Sequence, residues 1–230
     1  MDLSDTERGV IAEKLASYWN WRSEVYAATH SGSRMWSKVF LTPFEGAGPL
    51  RLLDMGTGPG FLAVEFAGAG HDVTGMDLAT DMLNIAKNRA AEKGLAINFI
   101  RGNAVEPPSF ADPFDGVTCR NLLWTLPDPL KALKAWRKLL RPGGRIVIAD
   151  GNWDKPHHEK DTAMIEEFRR AYSSFRQEIP FFLGLSAQDG ADLLEEAGFS
   201  RISRYDQFFD KNPYEEYQYD FFVMSAVNPE

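Results

Sequence analysis

The sequence predicts an α/β fold: a seven-stranded, mostly parallel sheet with helices on both faces, an antiparallel C-terminal hairpin and an N-terminal helical cap. Three observations predict it. From Leu50 onward, short apolar runs alternate with helical patterns, which makes a parallel sheet joined by crossover helices. The last two strand-like runs have no helix between them, so they pair antiparallel. Ahead of the alternation, residues 5–29 read as one long helix rich in aromatics.

That first helix ends at the polar break "THSGS". A second, "RMWSKVFL", runs to Pro43, and "EGAGP" follows as a linker. The boundaries predicted are a cap over 1–48 and a second unit over 49–230, with a cap insertion at about 151–185. Strand one is "LRLLDM", followed by a helix from about Gly60 to Ala69. Strand two is "HDVTGMD"; the helix after it, from about Thr80 to Lys93, is stopped by Gly94. Strands three and four are "AINFI" and "FDGVTC". The next helix has Asp128 as N-cap and Pro129 at its first position, with Pro142-Gly143-Gly144 as terminator and "GRIVIAD" as strand five. In the insertion, Ile165, Phe168, Tyr172 and Phe175 share a helical face. Ser186 with Asp189 makes a capping box for a helix ending at Gly198, and the final strands span 200–209 and 216–227.

Composition narrows the function. The chain of 230 residues carries a formal net charge of −8, which opposes binding to phosphate backbones. The basic stretch "KALKAWRKLLRPGGR" spaces its charges between apolar residues as a solvated helix face does. No apolar run is long enough to span a membrane, and the N-terminus lacks a signal-peptide core. With Cys119 as the single cysteine, an internal disulfide and a metal site of several thiolates are excluded, and the expected setting is the cytoplasm. A small-molecule partner is the expectation.

The stretch "LLDMGTGPGFL" carries the chemistry: Asp54, then Gly56, Gly58 and Gly60, at the carboxyl end of the first strand. Ligands on parallel sheets bind beyond that edge. Dinucleotide enzymes space their turn glycines as G-x-G-x-x-G, and here Phe61 stands where the third would fall. A nicotinamide oxidoreductase is therefore disfavoured. A tight helix entry without a ligand is the plain alternative for the glycines alone.

"LLDMGTGPG" resembles the first motif of class I S-adenosylmethionine-dependent methyltransferases, an acid followed by alternating glycines. The resemblance runs over residues 50–150 through "VTGMDLATDML", "RGNA", "FDGVTCRNLLWTLPDP" and "LLRPGGRIVIAD", and is nearest to small-molecule enzymes of the ubiquinone/menaquinone-biosynthesis type. It implies a Rossmann-like fold, S-adenosylmethionine as cofactor and no metal. It also implies that Gly56, Thr57, Gly58 and Gly60 form the bed for the methionine part, that Asp54 braces it, and that Asp77 accepts from both ribose hydroxyls. It implies further that Leu78 and Met82 sandwich the adenine, with Asn103 and the Ala104 amide at its edge, while plain core packing is an equal alternative for Met82. At Asn103 the family more often has Asp, which weakens that contact.

"YWNWRSEVY" resembles a segment ahead of the first motif in some of these enzymes. Tyr18, Arg22 and Tyr26 recur at four-residue steps, so the expectation is a guanidinium between two phenols, with Tyr18 and Arg22 on the cofactor and Arg22 holding its carboxylate. Helix packing is the competing role for the tyrosines. Weak catalytic candidates are Arg120, Asn121, Asp150 and His157, with Arg120 also placed at the cofactor. His157 and His158 are better explained as surface residues, Trp153 is a substrate-shelf candidate, and Trp124 is expected in the core. A non-catalytic cofactor-binding module is the remaining alternative, and the methyl acceptor and oligomeric state are left open.

Overall fold

The computed structural model describes residues 4–29, 34–153, 162–182, 184–213 and 220–229. Helices α1 (Asp5–Thr29) and α2 (Arg34–Leu41) precede the sheet. Then follow β1 (Arg51–Met55), α3 (Phe61–Gly68), β2 (Asp72–Asp77), α4 (Thr80–Glu92), β3 (Asn98–Arg101), β4 (Phe114–Arg120), α5 (Pro129–Leu139) and β5 (Leu140–Asn152). Helices α6 (Thr162–Tyr172) and α7 (Ala187–Glu196) and strands β6 (Ser200–Arg204) and β7 (Asp220–Val227) complete the chain. The seven strands are ordered β3-β2-β1-β4-β5-β7-β6. Pairings from β3 to β5 are parallel and those of β7 antiparallel, so β7 slots between β5 and the edge strand β6.

The order reverses between β1 and β4, where chain crossovers leave in opposite directions and open a crevice at the strands' carboxyl ends. One layer of core, with α5 and α7, buries Trp136, Leu133, Phe114 and Phe222. The other, with α2 and α3, buries Phe40, Phe66, Leu52 and Val147. A third cluster joins α1 to α6 through Ile11, Leu15, Tyr18, Tyr172 and Phe175.

Several elements differ from expectation. Pro142-Gly143-Gly144 does not terminate α5, which stops at Leu139 because Leu140 is already extended and pairs with Phe114. Arg141, which precedes proline, is biased away from helical backbone, so the break falls early. Gly143, at φ +74°, sits in the register shift of β5 and donates its N–H to the Asn228 carbonyl at 2.9 Å. The strand predicted over 200–209 ends at Arg204, where the Asp206 carboxylate takes the Arg204 guanidinium at 2.6 Å and turns the chain. Phe175 lies three residues past the end of α6, although its ring still joins the cluster with Tyr172.

The caps follow the sequence. Asp128 Oδ1 accepts from the Lys131 amide at 2.9 Å, and Ser186 and Asp189 form the reciprocal capping box. Each is worth about 1 kcal/mol.

Candidate functional site

The three turn glycines all hold positive φ, +64° at Gly56, +53° at Gly58 and +78° at Gly60, but for different reasons. A Cβ on Gly60 would lie 2.9 Å from the Ala86 Cβ and 3.2 Å from its Cα, so this glycine lets α3 and α4 approach. On Gly56 a Cβ would press the flexible Leu122 side chain at 2.8 Å. At Gly58 its nearest neighbour would be the Gly56 carbonyl at 4.0 Å: that position faces open space.

Asp54 braces this turn from below. Its carboxylate is 3% exposed and accepts from the Thr57 hydroxyl at 2.7 Å and the Thr118 hydroxyl at 2.8 Å. Burial raises its pKa to about 6 despite those hydrogen bonds. Asp77, at the end of β2, accepts from the Gly58 amide and from the Ala79 amide, both at 2.8 Å. One carboxylate therefore fixes both the glycine turn and the start of α4. Burial raises its pKa as well. Each ionised oxygen retains acceptor capacity beyond its one amide.

After β3, the loop at Asn103 is set by its neighbours. The Asn103 side-chain oxygen accepts from the Val105 amide at 3.0 Å, and the Trp136 indole N–H donates to the Ala104 carbonyl at 2.7 Å. That asparagine oxygen, expected at the edge of the adenine, is thus already spent in part on its own loop.

These pieces meet at one cavity over the carboxyl edge of the sheet. Gly56, Gly58, Asp77, Leu78, Met82, Asn103, Ala104, Arg120 and Asn121 line it from below. Arg8, Ala12, Leu15, Trp19 and Tyr26 of α1 close it from above. Asn20 ties that helix down by accepting from the Asp81 amide at 2.9 Å. Asn121 holds φ +56°, with its N–H donating to the Ala149 carbonyl at 2.8 Å. This bends the chain from β4 along the cavity floor.

Other predicted residues lie elsewhere. Thr57 and Gly60 support the turn from behind rather than line the cavity. The structure does not bring Tyr18 to the cavity. Its ring packs edge-on to Tyr172 at 5.3 Å and Phe168 at 5.8 Å, and burial lifts its pKa to about 12. Arg22 is half-buried and its charge is felt at the phenols of Tyr18 and Tyr172, but it is not among the lining residues. His157 and His158 lie outside the described residues. Asp150 is 1% exposed and also stands off the cavity. It accepts from the Gly151 amide at 3.0 Å, the Trp153 indole at 3.2 Å and the Trp124 amide at 3.3 Å, which makes Trp153 a buttress of the insertion.

Burial raises the Asp150 pKa to about 7, against the ordinary carboxylate range in an unfolded chain. The folded chain therefore holds a proton that the unfolded chain has released between about pH 4 and pH 7. This contribution lowers stability as pH rises through that window, by at most about 1.4 kcal/mol per pH unit, and is flat above it. His71, whose pKa burial lowers, acts in the opposite direction. Asp150→Asn is thus expected to flatten the fall of unfolding free energy between pH 5 and 7.5, followed by urea titration. An unchanged pH slope would refute it.

Sequence reasoning passed over Arg8, Ala12, Leu15 and Trp19. Their spacing with Tyr26, in steps of four, three, four and seven, tracks the 3.6-residue helical period. A strict four-residue series such as Tyr18, Arg22 and Tyr26 drifts around the helix instead. Because α1 is apolar on two sides, one toward the cavity and one toward α6, periodicity alone could not pick the side.

With this geometry in hand, residues 53–148 match the family model described as "Methyltransferase domain". The chain is thus similar, over residues 53–148, to methyltransferase domains. Two ubiquinone biosynthesis O-methyltransferases are similar to it in sequence. The one from Pectobacterium carotovorum is 38% identical over 110 residues, 47% of this chain and 46% of that protein. The one from Erwinia tasmaniensis is 32% identical over 155 residues, 66% of this chain and 63% of that protein. The chain spans about half the length of the curated relatives it matches. In structure, the chain resembles the [4+2]-cyclase SpnF, with TM-score 0.70 at 16% identity over 95% of this chain and 97% of that one. It also resembles a Haemonchus contortus phosphoethanolamine N-methyltransferase 2 solved with S-adenosyl-L-methionine, with TM-score 0.65 at 20% identity over 92% of this chain and 57% of that one. These two likenesses establish the fold.

Proposed function

We propose that the chain is an S-adenosylmethionine-dependent methyltransferase acting on a small-molecule acceptor. The observation that carries this is one cavity lined together by the open Gly58 position, the Asp77 carboxylate and the Asn103–Ala104 loop. They lie at the ends of β1, β2 and β3 in turn along the sheet edge, an order that suits a zwitterionic chain, a ribose and a purine. The match of residues 53–148 to the methyltransferase-domain model supports the same reading. When bound, this cofactor supplies a methyl group on a sulfonium, ready for in-line displacement.

The residues then have distinct tasks. Gly56 and Gly58 offer bare backbone to the amino-acid end, with Asp54 holding the turn in shape through Thr57 and Thr118. Asp77 accepts from the ribose hydroxyls with the lone pairs its two amide bonds leave over. Leu78 and Met82 flank the purine, and the Ala104 amide donates to its edge. Trp19 and Tyr26, set edge-to-face at 5.6 Å, roof the cavity and exclude water. Alignment of this kind can supply about 7–11 kcal/mol of barrier lowering without a covalent residue. Asn121, on the cavity floor after β4, is left to face the acceptor, and the aromatic roof favours an apolar or aromatic acceptor.

No described helix is long and apolar enough to cross a membrane. A cytoplasmic setting belongs to the same proposal. Because one fold serves several chemistries, transfer itself has to be measured. Isothermal calorimetry with S-adenosylhomocysteine is expected to give a micromolar Kd, and NADH no heat. Release of S-adenosylhomocysteine with a panel of phenolic acceptors tests turnover. Absence of heat with the nucleoside rejects the proposal; binding without any turnover favours a cofactor-binding module.

A further inference from the structure

Three charged side chains stand out among the described residues lining the cavity: Arg8, Asp77 and Arg120. Arg8 Nε lies 3.9 Å from the Glu106 carboxylate, which places it at the end formed by the Asn103–Val105 loop. Arg120 is at the opposite end. Met55 pairs with Cys119 across β1 and β4, so Gly56 and Arg120 are the next residues along these neighbouring strands. The guanidinium is half-buried, and among the described residues no carboxylate forms an ion pair with it. Asp54 is near enough to feel its charge, but both Asp54 oxygens are held by hydroxyls.

What Arg120 does have is an aromatic face. Its Cζ sits 4.9 Å from the centre of the Trp36 ring. Trp36 is 4% exposed and wedged between Phe209 at 4.8 Å, Phe221 at 6.0 Å and Phe40 at 6.1 Å. A ring so fixed presents one face, and a cation over it is both attracted and oriented. A guanidinium held over a ring in this way can still offer N–H groups to an anion.

We propose that Arg120 binds the carboxylate at the amino-acid end of the cofactor, and that Trp36 of α2 is the residue that positions it. This rests on the S-adenosylmethionine reading and moves the carboxylate contact from α1, where Arg22 was expected, to β4. It also gives α2 a part in binding although its Trp36 does not line the cavity.

The test compares two ligands by calorimetry: S-adenosylhomocysteine, and 5′-methylthioadenosine, which has the nucleoside but no amino-acid group. Arg120→Met is expected to weaken the first by about 30-fold, the loss of a charge-assisted contact, and the second by less than about twofold. Trp36→Leu is expected to weaken the first about fivefold and the second hardly at all. In the double variant the Trp36 effect is expected to vanish, because it acts through Arg120. Trp36→Phe, which keeps an aromatic face and most of the packing, is expected to restore most of the affinity and serves if the leucine variant does not fold. Equal losses for both ligands, or no loss with Arg120→Met, would overturn the assignment while wild-type binding keeps the cofactor reading intact. A wild-type chain that binds neither ligand overturns both.

Discussion

Asp77→Ala is expected to abolish measurable binding of S-adenosylhomocysteine, raising its Kd by at least about 100-fold. Two losses combine. Removing an ionised acceptor costs a ligand about 1.5–3 kcal/mol for each hydroxyl it held, and two ribose hydroxyls are at stake. The same carboxylate accepts from the Gly58 and Ala79 amides, so its removal also frees the glycine turn and the first turn of α4. Stranded amides of this sort cost about 1–3 kcal/mol, read as a lower unfolding free energy. Asp77→Asn keeps one oxygen but presents N–H groups to at least one of these donors, so it is expected to recover stability only in part and affinity less. Unlike Arg120→Met, the alanine variant is expected to lose 5′-methylthioadenosine as well, because that ligand carries the ribose. A folded Asp77→Ala chain that binds both nucleosides normally would show that the ribose lies elsewhere.

Much of the fold was legible because each signal was local and physically exclusive. Pro129 after Asp128, or Ser186 three residues before Asp189, leaves few conformations other than a helix start. The alternation of strand and helix from Arg51 to Asn152 likewise admits little but a parallel sheet. The expectations that needed correction involve long-range partners. Leu140 leaves the helix because Phe114 is there to pair with it, and nothing in "LLRPGG" announces Phe114. Tyr18 turns toward Tyr172, more than 150 residues away in sequence.

The site divides in the same way. Asp54, Gly56, Gly58 and Asp77 could be read from their strand ends, since parallel sheets put binding loops there. The roof could not, because α1 has two apolar sides and only the neighbours decide which faces the cavity. Nor could Trp36, whose proposed part depends on the register that brings Arg120 beside it.

Gly58→Val is expected to eliminate nucleoside binding while leaving a folded chain, and Gly60→Ala to do the reverse. At Gly58 the backbone holds φ +53°, costly for a β-branched residue by about 1–3 kcal/mol, so a moderate loss of stability accompanies the substitution. The Cβ of the added isopropyl group meets no protein atom that must yield, its nearest neighbour lying 4.0 Å away. It projects instead into the volume where the amino-acid end of the ligand would lie, and binding falls by more than about 100-fold because backbone approach is blocked. At Gly60 a single methyl group would stand 2.9 Å from the Ala86 Cβ. There α3 and α4 must move apart, so the midpoint of urea unfolding falls while the cavity face of the turn keeps its atoms. Calorimetry and urea titration on both variants separate the two. Normal affinity in Gly58→Val, or lost affinity with unchanged stability in Gly60→Ala, would mean that the ligand does not rest on the open side of this turn.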